Sequence, residues 1–135
     1  MLRSLSYIVM KPTESELEIM HILWEYGPLT VREVNDKLNE HRKVGYTTTL
    51  KIMQIMAEKT LLSRDTAHRS HVYSPALPPE KVKSNILDHV LKTVFNGNRS
   101  SLIVQALGTQ KVTVEELKEI KRAIEEMEKD SDGTV

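Results

Sequence analysis

The chain has 135 residues, a formal net charge of zero and 39% hydrophobic residues. This length accommodates one compact domain, or a small domain with an appendage. The sequence contains no cysteine, which excludes disulfides and thiolate metal sites. No apolar run is long enough to cross a bilayer, and the apolar residues after Arg3 lack a small-residue cleavage site. We therefore expect a cytoplasmic protein without membrane insertion.

The positive charge is concentrated in one part of the chain. Residues 11–40 include three basic and seven acidic residues, whereas residues 41–73 include six basic and two acidic ones. The basic residues of the second segment are Arg42, Lys43, Lys51, Lys59, Arg64 and Arg69. A chain with no net charge can still have a basic face of the kind that binds nucleic acid.

Two capping boxes predict the first two helices. Thr13 and Glu16 occupy the N-cap and N3 positions of a helix that continues to about Tyr26. Thr30 and Glu33 repeat the pattern for a shorter helix through about residue 38, and residues 29–30 form a brief strand before it. The predicted buried residues are Leu17, Met20, Leu23 and Trp24 in the first helix and Val31, Val34 and Leu38 in the second.

The stretch from residue 45 to 62 predicts a helix with two different faces. Thr47 is the predicted N-cap. The inward residues are predicted to be Leu50, Met53 and Ala57, and the outward ones Thr48, Lys51, Ile52 and Ile55. A hydroxyl and an ammonium group near a helix N-terminus attract phosphate, so the outward face suits the DNA major groove. An ordinary amphipathic surface helix is the alternative interpretation.

Residues 61–66 and 71–75 read as two strands joined by a tip at residues 67–70. A hairpin directly after a recognition helix is a wing, whose basic side chains meet the sugar-phosphate backbone. His68 and His71 leave metal binding open as an alternative, but without a nearby carboxylate or thiol no metal site is predicted. The residues predicted to contact DNA are Arg42, Lys43, Thr47, Thr48, Thr49, Lys51, Ile52, Ile55, Arg64 and Arg69.

Pro78 and Pro79 mark the start of a helical C-terminal part. Helices are expected from Pro79 to about residue 95, from a cap at Ser100 or Ser101, and from a third capping box at residues 113–116 through about residue 127. So small a region leaves its apolar stripes in water unless a second copy covers them or they fold back on the first half. The predicted dimerisation residues are Val82, Ile86, Val90, Val94, Leu102, Ile103, Leu117, Ile120 and Ile124.

In this order and spacing, residues 13–24, 30–34, 45–53 and 72–75 resemble the penicillinase repressor family. This family comprises beta-lactamase and methicillin-resistance regulators and is related to the copper-transport repressors. The resemblance covers about residues 12–128 and implies a mainly α fold with a small β-wing. It implies an N-terminal winged helix-turn-helix and a C-terminal helical dimerisation region. Members are homodimers that occupy double-stranded DNA operators of dyad symmetry and repress transcription.

The resemblance also suggests how repression ends. In penicillinase-type members, a membrane-embedded sensor metalloprotease triggers cleavage of the C-terminal region at an Asn-Phe bond. Here Gln105 and Ala106 stand at that position, so they mark a candidate cleavage region without the family's bond. The copper-sensing members carry C-terminal cysteines, and this chain has none, which excludes copper release by that route.

The predicted organisation has four parts. Residues 1–11 form an N-terminal extension, in which Met10 offers an alternative start, 12–77 a winged helix-turn-helix domain, 78–128 a helical dimerisation region and 129–135 a flexible tail. No catalytic constellation, phosphate-binding glycine loop or cofactor site is predicted, so the chain is not expected to be an enzyme. A winged-helix protein-interaction module and a nonspecific DNA-binding protein are the alternatives to an operator-binding repressor.

Overall fold

The computed structural model describes residues 12–132; the predicted N-terminal extension and residues 133–135 lie outside them. Within residues 12–132, six helices surround or follow three short strands. The elements are α1 (Glu14–Tyr26), β1 (Leu29–Thr30), α2 (Val31–Asn39), α3 (Tyr46–Glu58), β2 (Leu62–Asp65), β3 (Val72–Pro75), α4 (Pro79–Thr93), α5 (Arg99–Gly108) and α6 (Val114–Asp132). The predicted fold class, mainly helical with a small wing, is confirmed.

Local hydrogen bonds explain where the helices begin and end. The Thr13 hydroxyl accepts the Glu16 N–H at 3.2 Å, and the Glu16 carboxylate accepts the Thr13 N–H at 2.8 Å. At the other end of α1, Gly27 has a φ of +83°, which glycine adopts without steric cost, and its N–H bonds to the Leu23 carbonyl. Reciprocal bonds of the capping-box type also join Thr30 with Glu33 before α2 and Thr113 with Glu116 before α6. The three predicted capping boxes are therefore confirmed.

The three strands form one antiparallel sheet in the order β1-β3-β2. Tyr73 lies at its centre, opposite Leu29 on one side and Arg64 on the other. At the hairpin tip, the Asp65 carboxylate accepts the Ala67 N–H at 2.9 Å, a local bond typical of a turn. The hairpin predicted from residues 61–75 is present, with strands one or two residues shorter.

The hydrophobic core lies between α1, α2, α3, the sheet and the first turns of α4. Trp24 packs against it half-buried, and its indole N–H donates to the Leu77 carbonyl at 2.9 Å. A partly buried ion pair joins the Lys59 ammonium to the Glu16 carboxylate at 2.9 Å and connects the end of α3 to the start of α1. The buried apolar residues are Ile19, Met20, Leu23, Val31, Val34, Leu38, Met53, Met56, Leu61, Leu62, Tyr73 and Val82.

The chain forms two compact units, and the division falls within α4, after His89. Val82 is only 1% exposed in the core of the first unit, and Ile86 packs against that core. The predicted dimerisation role of Val82 is therefore wrong. Ile86 is also partly buried, by its packing within the first unit. The reason is that the first half of α4 completes the N-terminal core, which extends past the domain boundary predicted at residue 77.

The second unit, from Val90, contains the end of α4 together with α5 and α6. Its helices differ from the prediction at two ends. The side chain of Asn98 caps α5 by accepting the Ser101 N–H at 3.0 Å, so neither Ser100 nor Ser101 is the cap. Helix α6 continues to Asp132, so residues 129–132 are helical rather than part of a tail. Every side chain described from residue 90 to 131 is half-buried or exposed.

Candidate nucleic-acid interface

The N-terminal half of α3 presents an exposed polar face. Gly45, rather than the predicted Thr47, is the N-cap residue, and it provides no side-chain bond to the helix. Thr47 and Thr48 lie in the first turn with exposed side chains, and Lys51 is exposed one turn later. Two hydroxyl groups, an ammonium group and a helix N-terminus without a side-chain cap thus share one end of α3. Such an arrangement can bind phosphate oxygens and base edges.

The buried face of α3 is formed by Thr49, Met53 and Met56. It is rotated by roughly 65° around the helix axis from the predicted stripe of residues 50, 53 and 57, at ~100° per residue. Thr49 is 0% exposed, so its predicted contact with DNA is wrong. Its hydroxyl accepts a hydrogen bond from the Asn35 amide at 2.8 Å, which explains why a polar side chain occupies a core position.

The two isoleucines of α3 have different environments. Ile52, predicted to contact DNA, is half-buried and packs against the core, so it does not lie on the exposed face. The prediction fails there because the rotation of α3 turns this side chain toward the protein. Ile55 remains 37% exposed and lies on the outward side.

The turn between α2 and α3 carries Arg42 and Lys43, both exposed. Arg42 forms a two-pronged ion pair with Glu18 of α1: Nη2 lies 2.5 Å from Oε1, and Nε lies 3.4 Å from Oε2. The Arg42 guanidinium donates to this carboxylate and so holds the pKa of Glu18 below its ordinary value. Part of the positive charge predicted for DNA is therefore balanced within the protein, while Lys43 faces solvent.

The wing lies beside α3. Arg64 and Arg69 have exposed side chains, and both line a cleft of about 540 Å³ that Tyr46 and Gln54 of α3 also line. The fold therefore brings two predicted basic residues of the wing together with the exposed side of α3. A ligand bound in this cleft would therefore contact Tyr46 or Gln54 of α3 together with these arginines.

Arg32 is a residue of this cleft that the sequence analysis missed. It lies in the first turn of α2, and its guanidinium carbon is 4.9 Å from the centre of the Tyr46 ring, within the range of a cation–π interaction. Its position in an acid-rich stretch concealed it. No signal in the sequence pointed to it, because only the fold brings the first turn of α2 close to Tyr46.

No metal centre is found in the part of the chain that the structure describes. Among residues 12–132, no three His, Asp or Glu side chains come close enough together to hold a metal ion. The histidine pair of the wing, His68 and His71, is exposed and gains no third ligand there. The described helices likewise include none that combines sufficient length with sufficient apolar character to span a bilayer.

The predicted dimerisation residues beyond α4's first half remain at least partly accessible. Val94 is 67% exposed, and Ile103, Leu117 and Ile124 are exposed. Val90, Leu102 and Ile120 are half-buried. The candidate cleavage residues Gln105 and Ala106 lie exposed in the middle of α5.

Comparison with known proteins gives one consistent result. The family model described as "Penicillinase repressor" matches residues 12–126. The "Transcriptional regulator BlaI" of Mycobacterium tuberculosis is 28% identical over 115 residues, which cover 84% of this chain and 82% of that protein. The "Penicillinase repressor" of Bacillus licheniformis is 24% identical over 117 residues, which cover 84% of this chain and 89% of that protein. The family match includes both the helix-sheet core and the C-terminal helices, and we conclude that this chain belongs to the penicillinase repressor family.

Proposed function

We propose that this chain is a homodimeric, sequence-specific DNA-binding repressor that occupies a dyad-symmetric operator in the cytoplasm. The observation that carries the proposal is the exposed N-terminal face of α3, with Thr47, Thr48 and Lys51, beside the basic wing. The family is one of transcriptional repressors rather than of enzymes, and the names of the relatives agree with this role.

Helix α3 reads the base sequence from the major groove. The hydroxyl groups of Thr47 and Thr48 and the ammonium group of Lys51 reach base edges or the adjacent phosphates. Ile55 offers an apolar contact for a thymine methyl group. Thr49 and Ile52 are not part of this set, because their side chains belong to the protein interior.

Residues outside α3 provide affinity that does not depend on sequence. Lys43 precedes α3 in the chain, Arg64 and Arg69 follow it in the wing, and all three side chains are exposed. Arg42 adds to this group to the extent that a phosphate competes with Glu18 for its guanidinium. If a dimer neutralises about six to eight phosphates, log K falls with log salt concentration with a slope of roughly −5 to −7.

Dimerisation through the C-terminal unit complements this mode of binding. The exposed apolar side chains of α5 and α6 supply the surface that a second copy covers. A two-fold dimer then grips two half-sites whose centres lie about 34–36 Å apart or a multiple of this distance. Joining two weak binding sites in one dimer raises the overall affinity for DNA without any new contact.

Release from DNA is proposed to follow cleavage of α5 near Gln105 and Ala106 by a membrane sensor protease. Both side chains are exposed, but they lie within a helix, so the cut requires local unfolding of α5. Mass spectrometry of the protein recovered from beta-lactam-treated cells tests this step. A fragment that ends within α5 supports this step. Repressor that has left the operator but is still intact contradicts it.

A selection experiment tests the proposed function as a whole. The purified full chain selects duplexes from a random-sequence pool, and the best duplex and a scrambled duplex of the same composition are then titrated at several salt concentrations. We expect a dyad-symmetric consensus that binds at least a hundredfold more tightly than the scramble. Weak binding of equal strength to both duplexes would contradict operator reading and favour a nonspecific DNA-binding protein, and no binding to either would favour a protein-interaction module.

A further inference from the structure

Two asparagines of α2 hold the turn that leads into α3. The Asn35 amide group donates to the Val44 carbonyl at 3.1 Å, and the Asn39 amide group donates to the same carbonyl at 2.9 Å. The Val44 N–H donates in return to the Asn39 side-chain oxygen at 3.1 Å. Both backbone polar groups of Val44 are thus bonded to side chains one helical turn apart on α2.

The same network reaches the buried face of α3. The second N–H of the Asn35 amide donates to the Thr49 hydroxyl oxygen at 2.8 Å. Asn35 is only 8% exposed and Thr49 is 0% exposed, so water cannot replace either partner freely. Asn39 also donates to the Asn35 carbonyl at 2.7 Å, which joins the two asparagines. We call Asn35, Asn39, Val44 and Thr49 the turn clamp.

The turn clamp gives α3 a defined rotation that apolar packing alone does not provide. Hydrophobic burial has no direction, whereas a hydrogen bond weakens steeply as its angle departs from the preferred range. Lys59, the C-cap residue of α3, forms a separate ion pair with Glu16 of α1. The turn clamp therefore controls the end of α3 that carries the exposed hydroxyl and ammonium groups.

We infer that Asn35 and Thr49 are positioning residues for DNA recognition, and this inference rests on the proposed function. Thr48 directly precedes Thr49, and Lys51 follows two residues later. Any rotation or shift of α3 at Thr49 moves both of these side chains relative to the bases. Binding groups need to stay within about 0.5 Å of their productive positions, so a small movement costs sequence discrimination more than general affinity.

Thr49 offers a closely matched pair of variants. Thr49→Val keeps the branched shape and removes the hydroxyl oxygen that accepts from Asn35, whereas Thr49→Ser keeps that oxygen and removes a methyl group. A role that depended only on core packing would respond more to Thr49→Ser. A positioning role responds more to Thr49→Val, because the directional bond is lost and a buried amide N–H is left without its acceptor.

The test measures fluorescence anisotropy of the full chain with two labelled duplexes, one selected from the random pool by the unmodified protein and one scrambled. The readout is the ratio of the two dissociation constants, taken well below the melting temperature of each variant. We expect Thr49→Val to lower affinity for the selected duplex about tenfold and for the scramble by less than twofold. Thr49→Ser should keep the ratio within about twofold of that of the unmodified protein.

Two further variants provide a stability control and a second test of the turn clamp. Ile19→Val removes a methyl group from the same core at a residue of α1 outside the turn clamp, so it should lower the melting temperature and leave the ratio unchanged. Asn39 lies at the exposed edge of the turn clamp, so we expect the Asn39→Ala variant to fold even if Thr49→Val does not. Asn39→Ala should reduce the ratio about threefold.

The outcomes separate this inference from the proposed function. If the unmodified protein shows a ratio near one, operator reading fails and the positioning role fails with it. A high ratio for the unmodified protein that Thr49→Val and Asn39→Ala both retain overturns the positioning role alone. The positioning role is also overturned if Thr49→Ser or Ile19→Val lowers the ratio as much as Thr49→Val does.

Discussion

The two units of the molecule differ in how far their apolar side chains are buried. The N-terminal unit encloses twelve buried apolar residues, including Met53 and Tyr73, contributed by helices, sheet and the start of α4. In the C-terminal unit, side chains such as Val94 and Val104 are 67% and 68% exposed. One unit therefore has a core of its own, while the other has an apolar surface that suits a partner. We propose that the first unit provides most of the stability of the fold and that the second unit provides the surface for self-association.

Truncation of a core residue should produce the largest effect, because the N-terminal core is expected to be the main source of stability. We expect Leu23→Ala to lower the free energy of unfolding by about 2–5 kcal/mol, because it leaves a cavity beside rigid neighbours. Val104→Ala should change it by less than about 0.5 kcal/mol in the monomer, where this side chain is exposed. Urea unfolding at a protein concentration below the dimer dissociation constant, followed by fluorescence of the single tryptophan Trp24, measures both. Equal losses in the two variants would contradict the contrast between the units.

A charge on the apolar face of α6 should affect self-association rather than the N-terminal core. Ile124→Glu should weaken self-association by at least about 2 kcal/mol, or roughly thirtyfold, because the dimer would bury an unpaired carboxylate. Arg122→Glu places the same group about 200° around the helix and is the matched control. Sedimentation analysis gives the dimer dissociation constant. Unchanged association of Ile124→Glu would remove α6 from the proposed interface.

Within the N-terminal unit, Lys51→Ala and Arg69→Ala distinguish base reading from phosphate binding. Lys51→Ala should cost about 1–3 kcal/mol on the selected duplex and relax the preference at one position of the consensus. Arg69→Ala should weaken binding to selected and scrambled duplexes by similar factors and reduce the salt slope by about 1. Binding titrations on both duplexes distinguish base reading from phosphate binding. If Lys51→Ala weakens the two duplexes equally, Lys51 is a phosphate contact.

The ion pair between Glu18 and Arg42 should give the smallest effect, since it is exposed to solvent. The bonded guanidinium lowers the pKa of Glu18 from its ordinary value of 4.5, so the ionised form stabilises the folded state. This stabilisation is present well above pH 4.5 and is lost as the pH falls through the lowered pKa. Arg42→Gln should therefore flatten the acid side of the profile of stability against pH. A profile identical to that of the unmodified protein would show that the pair does not contribute.

Features that depend on neighbours in the sequence were predictable. Each capping box joins residues three positions apart, so the starts of α1, α2 and α6 could be read directly. The hairpin followed from two short β-prone segments separated by a polar tip. Thr47, Thr48 and Lys51 are exposed, as expected for residues on an outward face, and their contact with DNA stays a prediction.

Features that depend on distant partners were not predictable. Thr49 appeared suited to DNA because nothing local reveals that Asn35, fourteen residues earlier, supplies its hydrogen bond inside the core. Val82 appeared to belong to the C-terminal helices because its apolar spacing continues along α4, although it is buried in the other unit. Periodicity identifies an apolar face, but it does not identify what covers that face.

We propose that two copies of α3 read two related half-sites at once. The most direct test of this proposal inserts five base pairs at the centre of the selected duplex, which rotates one half-site by about half a turn relative to the other. We expect affinity to fall to nearly that of a single half-site, because the two-fold dimer can no longer bind both half-sites. Unchanged affinity after the insertion would contradict simultaneous reading by a dimer.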